Sequence, residues 1–157
     1  MINPNPNELR RGNYILYLGE LYVVTGLKEE GAERRIRVYF STLDGKLENA
    51  KTLNWIQAIP LTPEILLEFG FVKSESDFHG VMDMYVLTIP VTGANENEIS
   101  FYFPKNETTP FGRYSVNGYH GSNNFECVHQ MQNAYQSLTF EELKLKTDSY
   151  FSHFHIG

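Results

Sequence analysis

The chain has 157 residues, enough for one ordinary domain or two very small ones packed together. Its net charge of −6 disfavours a nucleic-acid-binding protein, because such binding depends on an excess of Lys and Arg. The single cysteine, Cys127, excludes an internal disulfide and fits a reducing compartment. No apolar run approaches the about 18 residues of a membrane helix, and the first residues lack the basic and apolar regions of a secretory signal. We therefore expect a cytoplasmic protein with no membrane segment.

The first third of the chain predicts β structure. Ten Tyr and eleven Phe favour half-buried pleated surfaces. Ile36, Val38 and Phe40 alternate with side chains of the opposite face, which is the period of a strand. Asp44-Gly45 is a strong hairpin signal. The predicted strands, 13–18, 21–27, 34–41 and 46–53, would make a small SH3-like barrel or a curled antiparallel sheet.

A short helix is predicted next, near 62–69. Thr62 is a suitable N-cap, and Pro63 fits the first helical position, where its missing N–H costs nothing. Gly70 can take the left-handed conformation that ends a helix, with Phe71 folding back as its apolar partner.

A second β region is predicted over 71–126. Val81 to Val91 is apolar on both faces, which favours a central strand covered on each side. A further strand is expected at 99–103, and Asn117-Gly118 is a second hairpin signal. We therefore expect an α+β, mainly β fold. A small β-barrel-like region at 1–58 would precede an α+β region at 59–157, in which an antiparallel sheet packs with two short helices. The two regions are compatible with one continuous domain.

The second helix is predicted at 128–138. Its apolar stripe has a 3-4-3 spacing and consists of Val128, Met131, Tyr135 and Leu138. Thr139 and Glu142 fit a capping box, so the helix should break there and restart, or end in a short second turn through Leu143. From Asp148 the aromatic tail is expected to form a last strand or a docked extension.

The polar face of this helix is unusual because it has no charged side chain. It consists of His129, Gln132, Asn133 and Gln136. A solvent-facing helix normally carries charges for solubility and for i,i+4 pairs. An amide-rich face is better suited to being covered, by another part of the chain or by a partner. We therefore assign these four residues as candidate interaction residues.

No arrangement of residues predicts catalysis, and no cofactor is expected. His153 and His155 can share a metal on a strand, but a zinc site needs three or four ligands. His79, His120, Cys127 and His129 are not at a recognisable ligand spacing. Cys127 and His129 would not face each other on a helix. We predict no metal site and favour a non-enzymatic protein, with a metal- or thiol-dependent enzyme as an alternative.

A locally basic patch supports a different alternative. Arg34-Arg35-Ile36-Arg37 and Arg10-Arg11 form it, beside Tyr14, Tyr17 and Tyr39. Its candidate nucleic-acid-binding residues are Arg10, Arg11, Arg35 and Arg37. Small β-barrels with basic and aromatic side chains can bind single strands or backbone phosphates. The acidic residues Glu29, Glu30 and Glu33 lie next to the patch, so a solvated strand face is the simpler interpretation.

Three segments carry a resemblance to known sequences. They are Leu9-Arg10-Arg11-Gly12-Asn13; Ile59 to Leu66 with Gly70-Phe71; and Val128 to Asn133 with Tyr135, Leu138-Thr139 and Glu141-Glu142-Leu143. Together they resemble a group of uncharacterised proteins of gut bacteria, their prophages and phages. Phe140 departs from the pattern, since similar proteins tend to have glycine there, and the segment beyond Lys146 lies outside it. The resemblance implies a cytoplasmic, phage- or mobile-element-associated protein, and it assigns no functional residue.

The leading hypothesis is therefore a non-enzymatic accessory protein that acts through contacts with a protein partner or with itself. Weak nucleic-acid binding by the N-terminal β region is the first alternative.

Overall fold

The computed structural model describes residues 2–75, 80–89, 97–105, 111–116 and 119–146. These residues form two compact units. The first contains the described residues of 1–60 together with 127–133, and the second contains those of 61–126 together with 134–146. The fold is mainly β, with two antiparallel sheets and two short α-helices, which confirms the predicted fold class.

The first unit is built on a curled four-stranded antiparallel sheet. Its strands are β1 (Tyr14–Tyr17), β2 (Glu20–Glu30), β3 (Arg35–Ser41) and β4 (Glu48–Thr52), and their order in the sheet is β1-β2-β3-β4. A register shift between Val24 and Gly26 in β2 bends the sheet, as a β-bulge does. The Asp44-Gly45 hairpin forms where it is predicted, with Gly45 at a φ of +70°.

The chain returns to the first strand after β4. A 3₁₀ turn follows at Leu53–Trp55, and Gln57 then pairs with Leu16 through two backbone hydrogen bonds of 3.0 and 2.9 Å. The sheet curls around Ile15, Val24 and Phe40, each fully buried. Val38 is buried beside Phe40 as the alternation predicts.

Helix α1 (Pro63–Glu68) begins and ends at the predicted signals. The Thr62 hydroxyl accepts a hydrogen bond from the Ile65 N–H, and Pro63 occupies the first turn. Gly70 has a φ of +89°, and the Gly70 and Phe71 N–H groups donate to Leu67 and Leu66 carbonyls. These two bonds define a Schellman C-cap.

The sheet of the second unit is a five-stranded meander. Its strands are β5 (Val72–Lys73), β6 (Met82–Ile89), β7 (Asn97–Pro104), β8 (Phe111–Val116) and β9 (Tyr119–Asn124), in that order. Ile99, Phe101 and Phe103 of β7 are buried. The centroid of the Phe101 ring lies 5.4 Å from that of Phe71 and 5.6 Å from that of Phe125.

Two predictions for this part of the chain are wrong. Strand β6 is not covered on both sides: Tyr85 and Ile89 are buried on one face, whereas Thr88 on the other is exposed. Helix α2 (Val128–Thr139) does not restart at Thr139. Instead Phe140 takes a left-handed φ of 60°, and its N–H donates to the Gln136 carbonyl, which is a C-terminal cap.

Other predictions lie outside the described residues. These are the Asn117-Gly118 hairpin, His79, and the aromatic tail with His153 and His155. Of the helices that the structure describes, none combines the length and apolar character that crossing a membrane requires.

Candidate functional site

The amide-bearing face of α2 is covered by the loop that precedes β1. The helix residues up to Asn133 belong to the first unit, as does this loop, residues 8–13. His129 and Gln132 are completely or almost completely buried, as are Val128 and Met131 of the apolar stripe. The first half of α2 is thus buried on its polar and its apolar side alike. We call the contact between residues 8–14 and residues 129–133 the amide latch.

Gln132 is the centre of the amide latch. Its side-chain oxygen accepts a hydrogen bond of 2.9 Å from the Tyr14 N–H, and its Nε2 donates to the Gly12 carbonyl at 3.2 Å. The side-chain amide thereby pairs with backbone groups at the start of β1 as a neighbouring strand would. Because Gln132 is fully buried, loss of these bonds would leave polar groups without hydrogen-bond partners away from water.

Asn13 and Asn133 form the second part of the latch. The Asn13 Nδ2 donates to Asn133 Oδ1 at 3.0 Å, and the Asn133 Nδ2 donates to the Glu8 carbonyl at 2.5 Å. Asn13 also accepts from the Arg10 N–H on its side chain and from the Val24 N–H on its carbonyl. Asn13 is fully buried, so its hydrogen bonds are all made within the protein.

The third part of the latch is titratable. The Glu8 carboxylate accepts from Gln130 Nε2 at 2.9 Å and lies 3.4 Å from His129 Nε2. The Gln130 hydrogen bond holds the pKa of Glu8 below its ordinary value. Burial lowers the pKa of His129, and the nearby carboxylate only partly opposes this effect. Among the described residues, nothing hydrogen-bonds to His129 Nδ1.

The predicted interaction residues therefore divide into two groups. His129, Gln132 and Asn133 lie in the amide latch and contact the chain's own loop. Gln136 lies one turn further, in the second unit, and is half-buried. The cover that the sequence predicts for the amide face is supplied, at the first three positions, by another part of the same chain.

The four predicted nucleic-acid-binding arginines are not brought together as free cations. Arg10 belongs to the amide latch, where its Nη2 donates to the Gln132 carbonyl at 3.1 Å, whereas Arg11 is exposed. Arg35 pairs with Glu33 at 2.5 Å, and Arg37 pairs with Glu30 at 3.0 Å.

A concave surface on the first unit forms a groove with a volume of about 670 Å³. We call it the Trp55 groove. It lies between the start of β3 and the 3₁₀ turn, and Asn3 contributes from the N-terminal segment. Its lining residues are Asn3, Arg34, Arg35, Ile36, Thr52, Leu53, Asn54 and Trp55.

Trp55 is the only tryptophan and is 59 % exposed. Arg34 lies on the same groove, is exposed, and has a left-handed φ of 48° in the turn between β2 and β3. No ion pair joins Arg34 to any residue in the described part of the chain. The groove therefore offers a large apolar ring and one uncompensated positive charge.

Sequence reasoning missed this groove. Trp55 belongs to no motif, and Arg34 is noted only as part of the basic patch. The two residues meet because the register of β3 and β4 places Thr52 opposite Arg37. The one signal in the sequence is that the sole tryptophan follows a polar strand and is not part of an apolar pattern.

The structure also locates Cys127 and His129, the residues considered for a thiol-dependent enzyme. Cys127 is buried just before α2, where it bridges to Pro60, and His129 lies in the amide latch. Within the described ranges, no group of three His, Cys, Asp or Glu side chains is close enough to hold a metal ion.

No known protein-family model, curated protein or solved structure shows significant similarity to this chain.

Proposed function

We propose that this chain is a non-enzymatic, cytoplasmic accessory protein of a phage or mobile element, and that it binds another protein through the Trp55 groove. The arrangement of the first unit supports a binding module. Four antiparallel strands, a 3₁₀ turn and a return to β1 form a small curled half-barrel. Ligands bind in concave surfaces, and the Trp55 groove is such a surface on this unit.

The observation that carries the proposal is the exposure of Trp55 in a concave surface. A tryptophan buries a large area when it is covered, and interface hot spots are enriched in Trp, Tyr and Arg. Trp55 and Arg34 supply two of these three residue types on one groove. Trp55 is 59 % exposed in the isolated chain, so most of that burial is available to a ligand.

The charges around the groove favour a protein over a nucleic acid. Arg35 and Arg37 are paired with Glu33 and Glu30, so Arg34 alone adds an uncompensated positive charge. Single-strand binding draws its affinity from several neutralised phosphates. One cation beside one aromatic ring is enough for a single carboxylate of a protein ligand.

The proposal is tested by selecting peptides from a random nine-residue display library. The baits are the wild-type chain, the W55A variant and the L47A variant. Leu47 is the matched control, because it is 68 % exposed in the same unit but does not line the groove.

We expect a shared peptide sequence to be enriched on wild-type protein and on L47A, and to be lost on W55A. Failure to enrich any sequence on wild-type protein, or equal enrichment on W55A, would contradict the proposal. A wild-type dimer in sedimentation that becomes a monomer in W55A would assign the groove to a second copy of the chain, and would also overturn it.

A further inference from the structure

The Trp55 groove also indicates the chemistry of its ligand, and this inference rests on the proposed function. We infer that the ligand is an extended segment of the partner protein that pairs with the open edge of β3 and places a carboxylate on Arg34.

The open edge arises from unequal strand lengths. Strand β3 pairs with β2 from Arg35 onwards, but its pairing with β4 begins only at Arg37, opposite Thr52. After Thr52 the chain turns into the 3₁₀ segment, which lies beside β3 but does not continue the β pairing. Among the described residues, Arg35 and Ile36 thus have no strand partner on the β4 side, and both line the groove.

An open edge of this kind selects an extended ligand. Backbone groups of successive strand residues point to opposite edges of the sheet, so one of these two residues presents its N–H and C=O to the groove. A peptide that continues the sheet there would satisfy them by strand addition, while its side chains reach the groove walls. The Trp55 ring is available to cover an apolar side chain of that peptide.

Arg34 selects the charge of the ligand. A guanidinium without a carboxylate partner favours an acidic side chain, and an arginine–carboxylate pair forms two parallel hydrogen bonds. The backbone of Arg34 is left-handed, a conformation that glycine or asparagine adopts at less cost. An arginine at this position therefore carries a conformational cost, which is consistent with a role for its charge.

The experiment compares two nine-residue display libraries that differ only at a fixed central residue, Asp in one and Asn in the other. Both are selected on wild-type protein, R34N, R34K and R11Q. R34N removes the charge and suits the left-handed backbone, and R34K keeps the charge. R11Q is the matched control, because Arg11 is an exposed arginine of the same unit that does not line the groove. Recovered peptides are then synthesised, and their binding is measured by the fluorescence of Trp55.

We expect wild-type protein to bind Asp peptides about tenfold more tightly than their Asn counterparts. R34N should lose this preference, whereas R34K should retain most of it and R11Q all of it. Two N-methylated forms of each peptide are also compared, one methylated on the odd-numbered and one on the even-numbered backbone nitrogens. Only one of these forms should lose binding, because only one set of N–H groups faces β3.

The possible failures are distinguishable. Equal binding of Asp and Asn peptides, or a preference that survives in R34N, overturns the inference and leaves the proposed function intact. Equal binding of the two N-methylated forms overturns the pairing with β3. Recovery of no peptide from either library overturns the proposed function itself. Competition by a twelve-residue oligothymidine at physiological salt would assign the groove to nucleic acid and overturn both.

Discussion

The amide latch gives the most direct test of the structure, through Gln132. Replacing this residue with methionine keeps the length of the side chain but removes both hydrogen bonds. The Tyr14 N–H then loses this partner at a buried position, and the Gly12 carbonyl loses one at a partly buried position. An unsatisfied buried polar group costs about 1–3 kcal/mol, so we expect Q132M to lower the free energy of unfolding of the first unit by about 2–3 kcal/mol. Q132A should lose about 3–4 kcal/mol, because it also leaves a cavity.

The assay is urea unfolding followed by Trp55 fluorescence, which reports on the first unit because Trp55 is the only tryptophan. The matched control is Q136A. Gln136 is the same residue type on the same helix but is only half-buried, and alanine favours helix slightly more than glutamine does. We expect Q136A to stay within about 0.5 kcal/mol of the wild-type protein. A Q132A variant as stable as Q136A would refute the structural role of the latch.

Three further predictions follow from the caps, the buried histidine and the aromatic core. F140G should stabilise the protein by about 0.5–1 kcal/mol by relieving the left-handed backbone, whereas F140A should leave stability nearly unchanged; thermal unfolding compares them. Because burial lowers the folded-state pKa of His129, unfolded chains bind more protons, so stability should fall as pH decreases from about 6.5. H129Q should flatten this slope in melting curves between pH 5 and 7.5, and an unchanged slope would exclude His129 as its source. G112A should destabilise the protein by about 1–3 kcal/mol in urea, since a Cβ there would collide with the Phe125 ring. G26A should be tolerated, because a Cβ at Gly26 would make only an ordinary van der Waals contact of 4.0 Å with Tyr39 Cβ.

Local signals in the sequence predict the elements that they control directly. Thr62, Pro63 and Gly70 each act within one or two turns of chain, and α1 has the bounds and the Schellman cap that they indicate. The alternation of Val38 and Phe40 likewise places β3 and its buried face correctly. Such signals need no knowledge of distant partners, which explains why they are reliable.

The errors occur where a pattern has two physical explanations. Thr139 and Glu142 have the spacing of a capping box, but the Thr139 hydroxyl bonds back to the Tyr135 carbonyl at 2.9 Å and closes the existing helix. The apolar run of β6 is compatible with a strand covered on both faces, yet Thr88 lies on an exposed face. Burial on the second face depends on what the rest of the chain covers, and a local pattern does not contain that information.

The Trp55 groove was beyond sequence reasoning for a related reason. Arg34 and Trp55 are separated by a strand, a hairpin and a second strand, and only the register of β3 on β4 brings them to one surface. The pairing of Arg35 and Arg37 with acidic neighbours also depends on side-chain geometry. A count of basic residues therefore overstates the charge that this region offers to a ligand.

The amide latch separates what holds the fold together from what the protein binds. Its two halves, residues 8–14 and 129–133, are joined by hydrogen bonds across about 120 positions. Each half satisfies buried polar groups of the other, so a change in one half requires a compensating change in the second. Trp55 and Arg34 make no comparable contribution to the core, since one is exposed by 59 % and the other has no ion-pair partner in the described chain. Substitutions in the latch should therefore change stability first, and substitutions at Trp55 or Arg34 should change binding while stability is preserved.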